Sequence, residues 1–209
     1  SSINPVDWKM ASGAIRLYMP AKFPCTPGFD LAGEVVAVGP GVTAFAAGAR
    51  VHARIGTPGA AAEYAVAAVA LVAAMPDTMG WEEAAALPLA GMTALQGLRD
   101  RGGLPMTGAR QRVLIVGASG GVGHLAVQIA VAAGASVTGV CSTRNLEFVT
   151  GLGARTVIDY TCPDPYRGVA PFDIVYDCVA GDPSPYLPLV APGGCYLSCV
   201  PGLGTFLQM

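Results

Sequence analysis

The sequence predicts an α/β protein whose later part is built around a parallel β-sheet. After about residue 88, short apolar stretches alternate with helical stretches, which is the pattern of βαβ units. A glycine-rich segment, 117–123, lies between one apolar stretch and a long apolar helix. The first part of the chain instead carries β-branched runs separated by glycine and proline, which favours a β-rich first domain.

In the first domain, each strand candidate is bounded by turn residues. The run at 31–38 stops at the Gly-Pro-Gly turn of 39–41, and Pro76 ends the last run. Glu82 and Glu83 suit the first turn of a short helix, because the helix dipole favours negative charge there. The predicted strands are 31–38, 50–55, 63–66 and 69–74, and the predicted helix is 81–87.

In the second domain, predicted strands and helices follow one another. Residues 123–133 are apolar on nearly every face, which indicates a buried helix, and Gly134 ends it. The predicted strands are 112–116, 136–142, 156–160, 173–178 and 195–200, and the other predicted helices are 92–99 and 145–152.

Composition excludes several classes of function. The chain has 12 Lys and Arg against 14 Asp and Glu, so there is no electrostatic basis for binding nucleic acid. The longest apolar run, 64–75, falls short of the roughly 20 residues that a membrane-spanning helix needs. The six cysteines form no C-x-x-C pair and are predicted to be thiols in a reducing compartment. We expect a soluble, cytoplasmic protein with no nucleic-acid or membrane partner.

The glycine-rich segment predicts a dinucleotide site. Glycine permits the tight turn and the close approach of a pyrophosphate, and the helix that follows directs its N-terminal N–H groups at the phosphates. A purely structural strand-to-helix turn is the alternative. The predicted cofactor-binding residues here are Ala118, Ser119, Gly120, Gly121, Val122 and Gly123.

The end of the next strand predicts which dinucleotide binds. An NAD site places an acid there to bind the ribose 2′-hydroxyl, but this strand ends without one. The hydroxyls of Ser142 and Thr143 and the guanidinium of Arg144 suit a 2′-phosphate instead. NADPH is therefore predicted over NADH, unless Arg144 only opens the next helix on a solvated face.

Four segments carry a more specific signal. Residues 4–9 read NPVDWK, 27–35 read PGFDLAGEV, 87–94 read LPLAGMTA and 118–128 read ASGGVGHLAVQ. Together, in this order, they resemble the zinc-independent quinone oxidoreductases, the zeta-crystallin-like branch of the medium-chain dehydrogenase/reductase superfamily.

The resemblance implies two domains. Residues 1–88 correspond to a chaperonin-10-like (GroES-like) β-barrel catalytic domain, and 89–209 to a Rossmann NADPH-binding domain with a doubly wound sheet. Similar proteins carry strands before the Asn-Pro segment and after the strand matching 195–200, so both domains are expected to be incomplete here. The full-length protein is expected to be a homodimer. The resemblance also adds Thr93 and Tyr160 to the predicted cofactor site. Tyr160 is expected beside the adenosine 2′-phosphate, with plain packing at the strand end as the alternative.

No metal is predicted. Zinc-dependent members of the superfamily have a Gly-His-Glu segment where this chain reads Gly28-Phe29-Asp30. Catalytic zinc needs about three protein ligands, and the chain has two histidines, His52 and His124.

The expected reaction is hydride transfer from NADPH to a quinone or an α,β-unsaturated carbonyl, whose developing negative charge delocalises without a metal. Asn4 is a candidate donor to the substrate oxygen, Lys9 a proton donor and Tyr18 a further donor, while Asp7 orients its neighbours. As alternatives, Asn4 is a turn residue, Lys9 a solvated charge and Tyr18 a packing residue.

Two other functions stay open: an enoyl reductase acting on acyl thioesters in polyketide or fatty-acyl synthesis, and a non-enzymatic NADPH-binding adaptor or structural protein. A short-chain dehydrogenase is disfavoured. Its Tyr-x-x-x-Lys motif needs a lysine after the glycine-rich turn, and both lysines, Lys9 and Lys22, precede it.

Overall fold

Two sheets organise the chain in the computed structural model, which describes residues 1–179 and 181–199. The first sheet belongs to a unit that spans Ser1–Leu89, and the second to a unit that begins at Ala90.

The first unit contains an antiparallel sheet of three strands, ordered β1-β2-β3. Leu31 and Ala53 are paired between β1 and β2, and Val51 and Ala74 between β2 and β3. A small apolar cluster of Ala53, Ile55 and Ala60 lies beside them. The elements of this unit are α1 (Pro5–Ala11), β1 (Asp30–Glu34), β2 (Arg50–Arg54), β3 (Val72–Ala74) and α2 (Trp81–Ala86).

The structure of this unit departs from the sequence predictions. The predicted strand 31–38 is shorter, with β1 ending at Glu34, and residues 69–71 of the predicted strand 69–74 form a 3₁₀ turn. Residues 63–66 form no strand, and the side chains of Tyr64 and Val66 are 72% and 95% exposed, so this segment lacks the buried face that makes a strand. Residues 5–11 form helix α1, which was not predicted from the sequence. Asn4 precedes Pro5 at the first helical position, where the missing N–H and the fixed φ of proline are favourable.

The second unit contains a parallel sheet of five strands in the order β6-β5-β4-β7-β8. Counted from the first strand of this sheet, the order is 3-2-1-4-5, as in a doubly wound dinucleotide-binding fold. The strands are β4 (Arg112–Val116), β5 (Ser136–Cys141), β6 (Thr156–Asp159), β7 (Phe172–Asp177) and β8 (Val190–Ser198).

Three helices accompany these strands: α3 (Pro88–Gln96), which a π-helical turn at Gly97–Arg101 extends, α4 (Gly123–Ala133) and α5 (Leu146–Gly151). The bounds of β4 and α4 are those predicted. Strand β8 begins at Val190, five residues before its predicted start at 195, and its predicted end at Val200 lies outside the described residues.

Both faces of the parallel sheet are buried, which explains the continuous apolar runs of its central strands. Val113 and Ile115 of β4 face one core cluster, which includes Val127 of α4. Leu114 and Val116 face the opposite cluster. Each such side chain contributes about 1.5–3 kcal/mol when fully buried, so β4 firmly anchors the glycine-rich turn that follows it.

Candidate functional site

The glycine-rich turn leaves donors unused. Ala118 N–H donates to Val140 O at 2.9 Å and Gly120 N–H to Gly117 O at 2.9 Å, which fixes the turn between β4 and α4. Among the described residues, none accepts a hydrogen bond from the backbone N–H of Gly121, Val122 or Gly123. Three unused N–H groups at the start of an 11-residue helix form a cradle suited to a pyrophosphate.

The glycines of this turn have different structural demands. Gly117 has φ +73°, and a Cβ added there would lie 2.6 Å from Val179 Cγ2. A Cβ on Gly123 would lie 2.0 Å from Gly117 O, which no side chain could accommodate. A Cβ on Gly121 would meet no atom within 4 Å, so the backbone at Gly121 is open to an approaching ligand.

One asparagine links the residues after β5 to the glycine-rich turn. Asn145 Nδ2 donates to Ser119 Oγ at 3.0 Å and to Ser142 Oγ at 3.3 Å. It therefore joins the glycine-rich turn to the predicted 2′-phosphate residues. Arg144 is exposed on the short 3₁₀ turn Thr143–Asn145, which lies between β5 and α5. Asn145 directly follows Ser142, Thr143 and Arg144 in the sequence but was not among the predicted site residues.

An acid lies beside the predicted 2′-phosphate residues. Asp159, the last residue of β6, pairs with Cys141 at the end of β5. Its carboxylate accepts hydrogen bonds from the Thr143 hydroxyl and from the N–H and hydroxyl of Thr161. These bonds, that of Thr143 first, lower the pKa of Asp159. An acid from the neighbouring strand therefore lies beside Thr143, a proximity that sequence spacing did not reveal.

The other two predicted cofactor residues occupy different settings. Tyr160 follows β6 and is 55% exposed. Thr93 lies on α3, and its carbonyl oxygen accepts a hydrogen bond from the Tyr176 hydroxyl at 2.9 Å. The buried ring of Tyr176 is held closely, since a Cβ on Gly97 would lie 2.5 Å from it.

The predicted catalytic residues lie in the first unit, where Asp7 links α1 to the segment before β1. Its carboxylate accepts Asn4 N–H at 2.7 Å and Gly28 N–H at 2.9 Å. Asp7 is buried and accepts hydrogen bonds from two backbone donors.

Asn4 is fixed by a second buried acid, which the sequence analysis did not single out as a site residue. Asn4 Nδ2 donates to Asp30 Oδ2 at 2.9 Å, and Leu89 N–H donates to both oxygens of Asp30 at 3.1 Å. Ser2 Oγ adds a longer bond of 3.4 Å. Burial raises the pKa of Asp30, and the bonds from Asn4, Leu89 and Ser2 act against that rise. Residues far apart in sequence thus converge on one carboxylate.

The remaining two candidates are more accessible. Lys9 lies in the last turn of α1, half-buried, with its Nζ 5.6 Å from the centroid of the Trp8 ring. Tyr18 is 68% exposed in a turn, where its N–H donates to Ile15 O at 3.0 Å. The structure brings Asn4 and Asp7 together through a hydrogen bond, and it records no such bond from either of them to Lys9 or Tyr18 among the described residues.

The residues present do not fit a catalytic zinc. Phe29 is 1% exposed where a histidine ligand would stand, and the Asp30 oxygens are occupied by the donors named above. Within residues 1–179 and 181–199, no three His, Cys, Asp or Glu side chains are grouped to hold a metal ion.

No helix among the described residues has the length and apolar character needed to cross a bilayer.

Two protein families match the chain. Residues 1–77 match the alcohol dehydrogenase GroES-like domain, and residues 121–202 match the zinc-binding dehydrogenase family. These matches and the sheet order confirm the predicted fold, GroES-like followed by Rossmann-like.

Individual relatives are similar over nearly the whole chain. A chloroplast envelope quinone oxidoreductase homolog of Arabidopsis thaliana is 46% identical over 211 residues, covering 97% of this chain. A 2-methylene-furan-3-one reductase of Solanum lycopersicum is 36% identical and covers 93% of it. The solved quinone oxidoreductase of Coxiella burnetii is 32% identical, with a TM-score of 0.83 and 100% of this chain covered. The chain spans 64%, 51% and 66% of the length of these three proteins.

Proposed function

Because this chain belongs to the quinone oxidoreductase branch of the medium-chain dehydrogenase/reductase superfamily, we propose that its protein reduces a quinone or an α,β-unsaturated carbonyl with NADPH, without zinc. The observation that carries the proposal is the glycine-rich turn with three unused N–H groups, set in a chain similar to named quinone and enone reductases. The nicotinamide cofactor, when bound, supplies the hydride.

The residues of the second unit would hold the dinucleotide. The N–H groups of Gly121, Val122 and Gly123 would bind the pyrophosphate without a charged side chain, using the helix dipole of α4. Asn145 would keep the turn and Ser142 in a fixed relation, so that the phosphate and ribose contacts form together.

The residues of the first unit would act on the substrate oxygen. Asp30 holds Asn4 Nδ2 through one N–H, so the second N–H of that amide keeps a defined direction and is available as a donor. A preoriented donor stabilises charge that develops on an oxygen more effectively than a mobile one. Lys9, an ammonium at the end of α1, would supply the proton that an enone product needs on carbon.

A substrate panel tests this function. The full-length protein is assayed with NADPH against quinones, alkenals, enones and enoyl thioesters. Turnover of quinones and enones is the expected result. Preference for enoyl thioesters would favour an enoyl reductase of acyl synthesis instead, and tight NADPH binding with no turnover would favour the non-enzymatic adaptor.

Arg144→Ala is expected to weaken NADPH binding about tenfold to hundredfold and to leave NADH binding nearly unchanged. A guanidinium–phosphate contact contributes on the order of 1.5–3 kcal/mol, and NADH lacks the phosphate. Calorimetric Kd values for NADPH and NADH measure the change in affinity. Arg155→Ala is the matched control, because Arg155 is also exposed but lies before β6, away from the predicted 2′-phosphate residues in the sequence. Equal losses for the two cofactors would refute the role of Arg144.

Asp159→Asn is expected to raise the affinity for NADPH severalfold relative to NADH. The Asp159 carboxylate is ionised, with a lowered pKa, next to the proposed 2′-phosphate residues, so it opposes a second negative charge there. The amide keeps an oxygen for Thr143 and removes the charge. Because the pKa of Asp159 is lowered, its carboxylate stays ionised between pH 6 and 8, and the effect of the substitution should grow over that range as the 2′-phosphate loses its second proton at about pH 6. A weaker NADPH complex would show that Asp159 supports the phosphate site instead.

Lys9→Ala is expected to lower kcat for an enone about 10²-fold and for a quinone much less. An enone product needs a proton delivered to carbon, and loss of one positioned acid costs about 10²–10⁴-fold, whereas hydroquinone oxygens are protonated by water. Steady-state kinetics with both substrates measure the difference, and Lys22→Ala, an exposed lysine outside α1, is the control. Equal losses on the two substrates would remove Lys9 from proton delivery.

The homodimer and the cytoplasmic location stay predictions. The names of four relatives that match the chain include "chloroplast", "chloroplastic" or "mitochondrial". Size-exclusion chromatography with light scattering on the full-length protein measures the oligomeric state. Fractionation of the source cells measures the location.

A further inference from the structure

Two cysteines stand side by side at the carboxyl ends of β7 and β8. Cys178 directly follows β7 and Cys199 directly follows β8. The register pairs Asp177 with Ser198, and Cys199 N–H donates to Asp177 O at 3.1 Å, so the parallel ladder places residue 199 opposite residue 178. Neighbouring strands lie about 4.8 Å apart, within the Cα separation that a disulfide spans.

The two side chains share one face of the sheet. Both pack against the core cluster that contains Tyr176, two residues before Cys178. Leu197, two residues before Cys199, packs against the same cluster. Alternation along a strand puts residues two apart on the same side. The thiol of Cys178 is hydrogen-bonded to that of Cys199, and this bond together with burial raises the pKa of Cys178. Both residues are partly exposed, whereas Cys141 is buried.

The pair is connected to the glycine-rich turn. Cys178 N–H donates to Val116 O at 3.0 Å, and Val116 is the residue before Gly117. The Cα of Gly117 has no room for a side chain, because a Cβ there would lie 2.6 Å from Val179 Cγ2. A change of backbone or side-chain position at Cys178 therefore reaches the turn that we propose holds the pyrophosphate.

We propose that Cys178 and Cys199 are a modification site, oxidised by a peroxide to a reversible disulfide that weakens dinucleotide binding. The thiolate of Cys199 attacks one peroxide oxygen and the O–O bond breaks, giving a sulfenic acid on Cys199 and, with a proton from solvent, water. Cys178, whose pKa is raised, stays a thiol during this step. The second thiol then displaces water from that sulfur and forms the S–S bond. Two thiols are oxidised by two electrons and hydrogen peroxide is reduced to two molecules of water; a dithiol reverses the reaction. The effect on binding rests on the proposed function, whereas the disulfide does not.

The test for the disulfide uses the full-length protein, reduced and then exposed to graded hydrogen peroxide. After remaining thiols are alkylated and the protein is digested, mass spectrometry should find the peptides of Cys178 and Cys199 joined, two hydrogens lighter than their sum. Dithiothreitol should restore them. Cys178→Ser and Cys199→Ala should each abolish the joined peptide, while Cys162→Ser, which alters an exposed cysteine elsewhere, should leave it. Sulfinic acid at either position without the joined peptide would overturn the proposal.

The second readout is NADPH affinity of reduced and oxidised protein. The oxidised wild type should bind severalfold more weakly, and Cys199→Ala should bind equally before and after peroxide. A joined peptide with unchanged affinity would overturn the regulatory part. Failure of the reduced protein to bind any dinucleotide would instead refute the proposed function, and the mass-spectrometric result would still decide whether the disulfide forms. Melting temperatures of Cys178→Ser and Cys199→Ala show whether either variant fails to fold.

Discussion

Replacing Gly123 with alanine is expected to destabilise the second unit by at least about 3 kcal/mol and to abolish dinucleotide binding. The added methyl would lie 2.0 Å from Gly117 O and 2.8 Å from Gly117 C, both backbone atoms of a turn that cannot move without breaking its link to β4. Overpacking against side chains costs about 1–3 kcal/mol, and backbone yields less readily. Denaturant unfolding of the full-length protein measures the change in free energy.

Gly121→Ala provides the matched control two residues away. A methyl there meets no atom within 4 Å and requires no left-handed backbone, so stability should stay within about 0.5 kcal/mol of the wild type. The same methyl would occupy the open side of the cradle, so the Kd for NADPH should rise tenfold or more. Unchanged affinity in Gly121→Ala would place the pyrophosphate elsewhere, and a stable Gly123→Ala would show that the turn is more adaptable than its geometry implies.

Asp30→Ala is expected to destabilise the first unit by about 2–4 kcal/mol and to lower kcat. The substitution leaves Asn4 Nδ2 and Leu89 N–H, both near a buried site, without their acceptor, and each such loss costs about 1–3 kcal/mol. The cost of keeping the carboxylate charged in a buried position is removed, which offsets part of the loss. Asp30→Asn keeps one oxygen for Leu89 and should lose only about 1 kcal/mol.

The pH dependence of stability reports the same carboxylate. Because the pKa of Asp30 is raised on folding, the folded chain binds this proton more tightly than the unfolded chain. This contribution to the free energy of unfolding is present below the unfolded pKa, near 3.8, and is lost as pH rises through the folded pKa. Asp30→Asn should flatten that part of the profile. An identical profile in wild type and Asp30→Asn would contradict the raised pKa.

Local signals predicted the second unit well. Strand β4 and helix α4 have the predicted bounds because each is an apolar run ended by glycine. Strand β4 is buried from Val113 to Val116, whereas α4 buries one side and leaves Gln128 and Ala132 exposed. The elements of the first unit were harder to predict. The run at 63–66 has strand-like composition, yet its side chains are exposed, since pairing partners decide a strand more than propensity does. The helix α1 was missed although Asn4, Pro5 and Asp7 carry the signal of a helix start.

The site was predictable only where its residues lie together in sequence. The turn at 117–123 and the residues after β5 were identified because a dinucleotide site uses consecutive positions. Asp30 and Asp159 were missed because their partners come from other elements. Asp30 accepts bonds from residues 26 and 59 positions away, and Asp159 reaches Thr143 only because β5 and β6 pair in register. Strand register and helix docking cannot be derived from spacing along one chain.

The central claim is hydride transfer from NADPH to an electron-poor acceptor without a metal, and stereospecific labelling tests it most directly. The full-length protein, treated with a chelator, is incubated with NADPH deuterated on one or the other face of the nicotinamide and with an enone, a quinone or a primary alcohol/NADP⁺ pair. The account predicts quinone turnover, and deuterium on the β-carbon of the reduced enone from one face only. Robust oxidation of the alcohol, lost with the chelator and accompanied by no enone or quinone turnover, would contradict it.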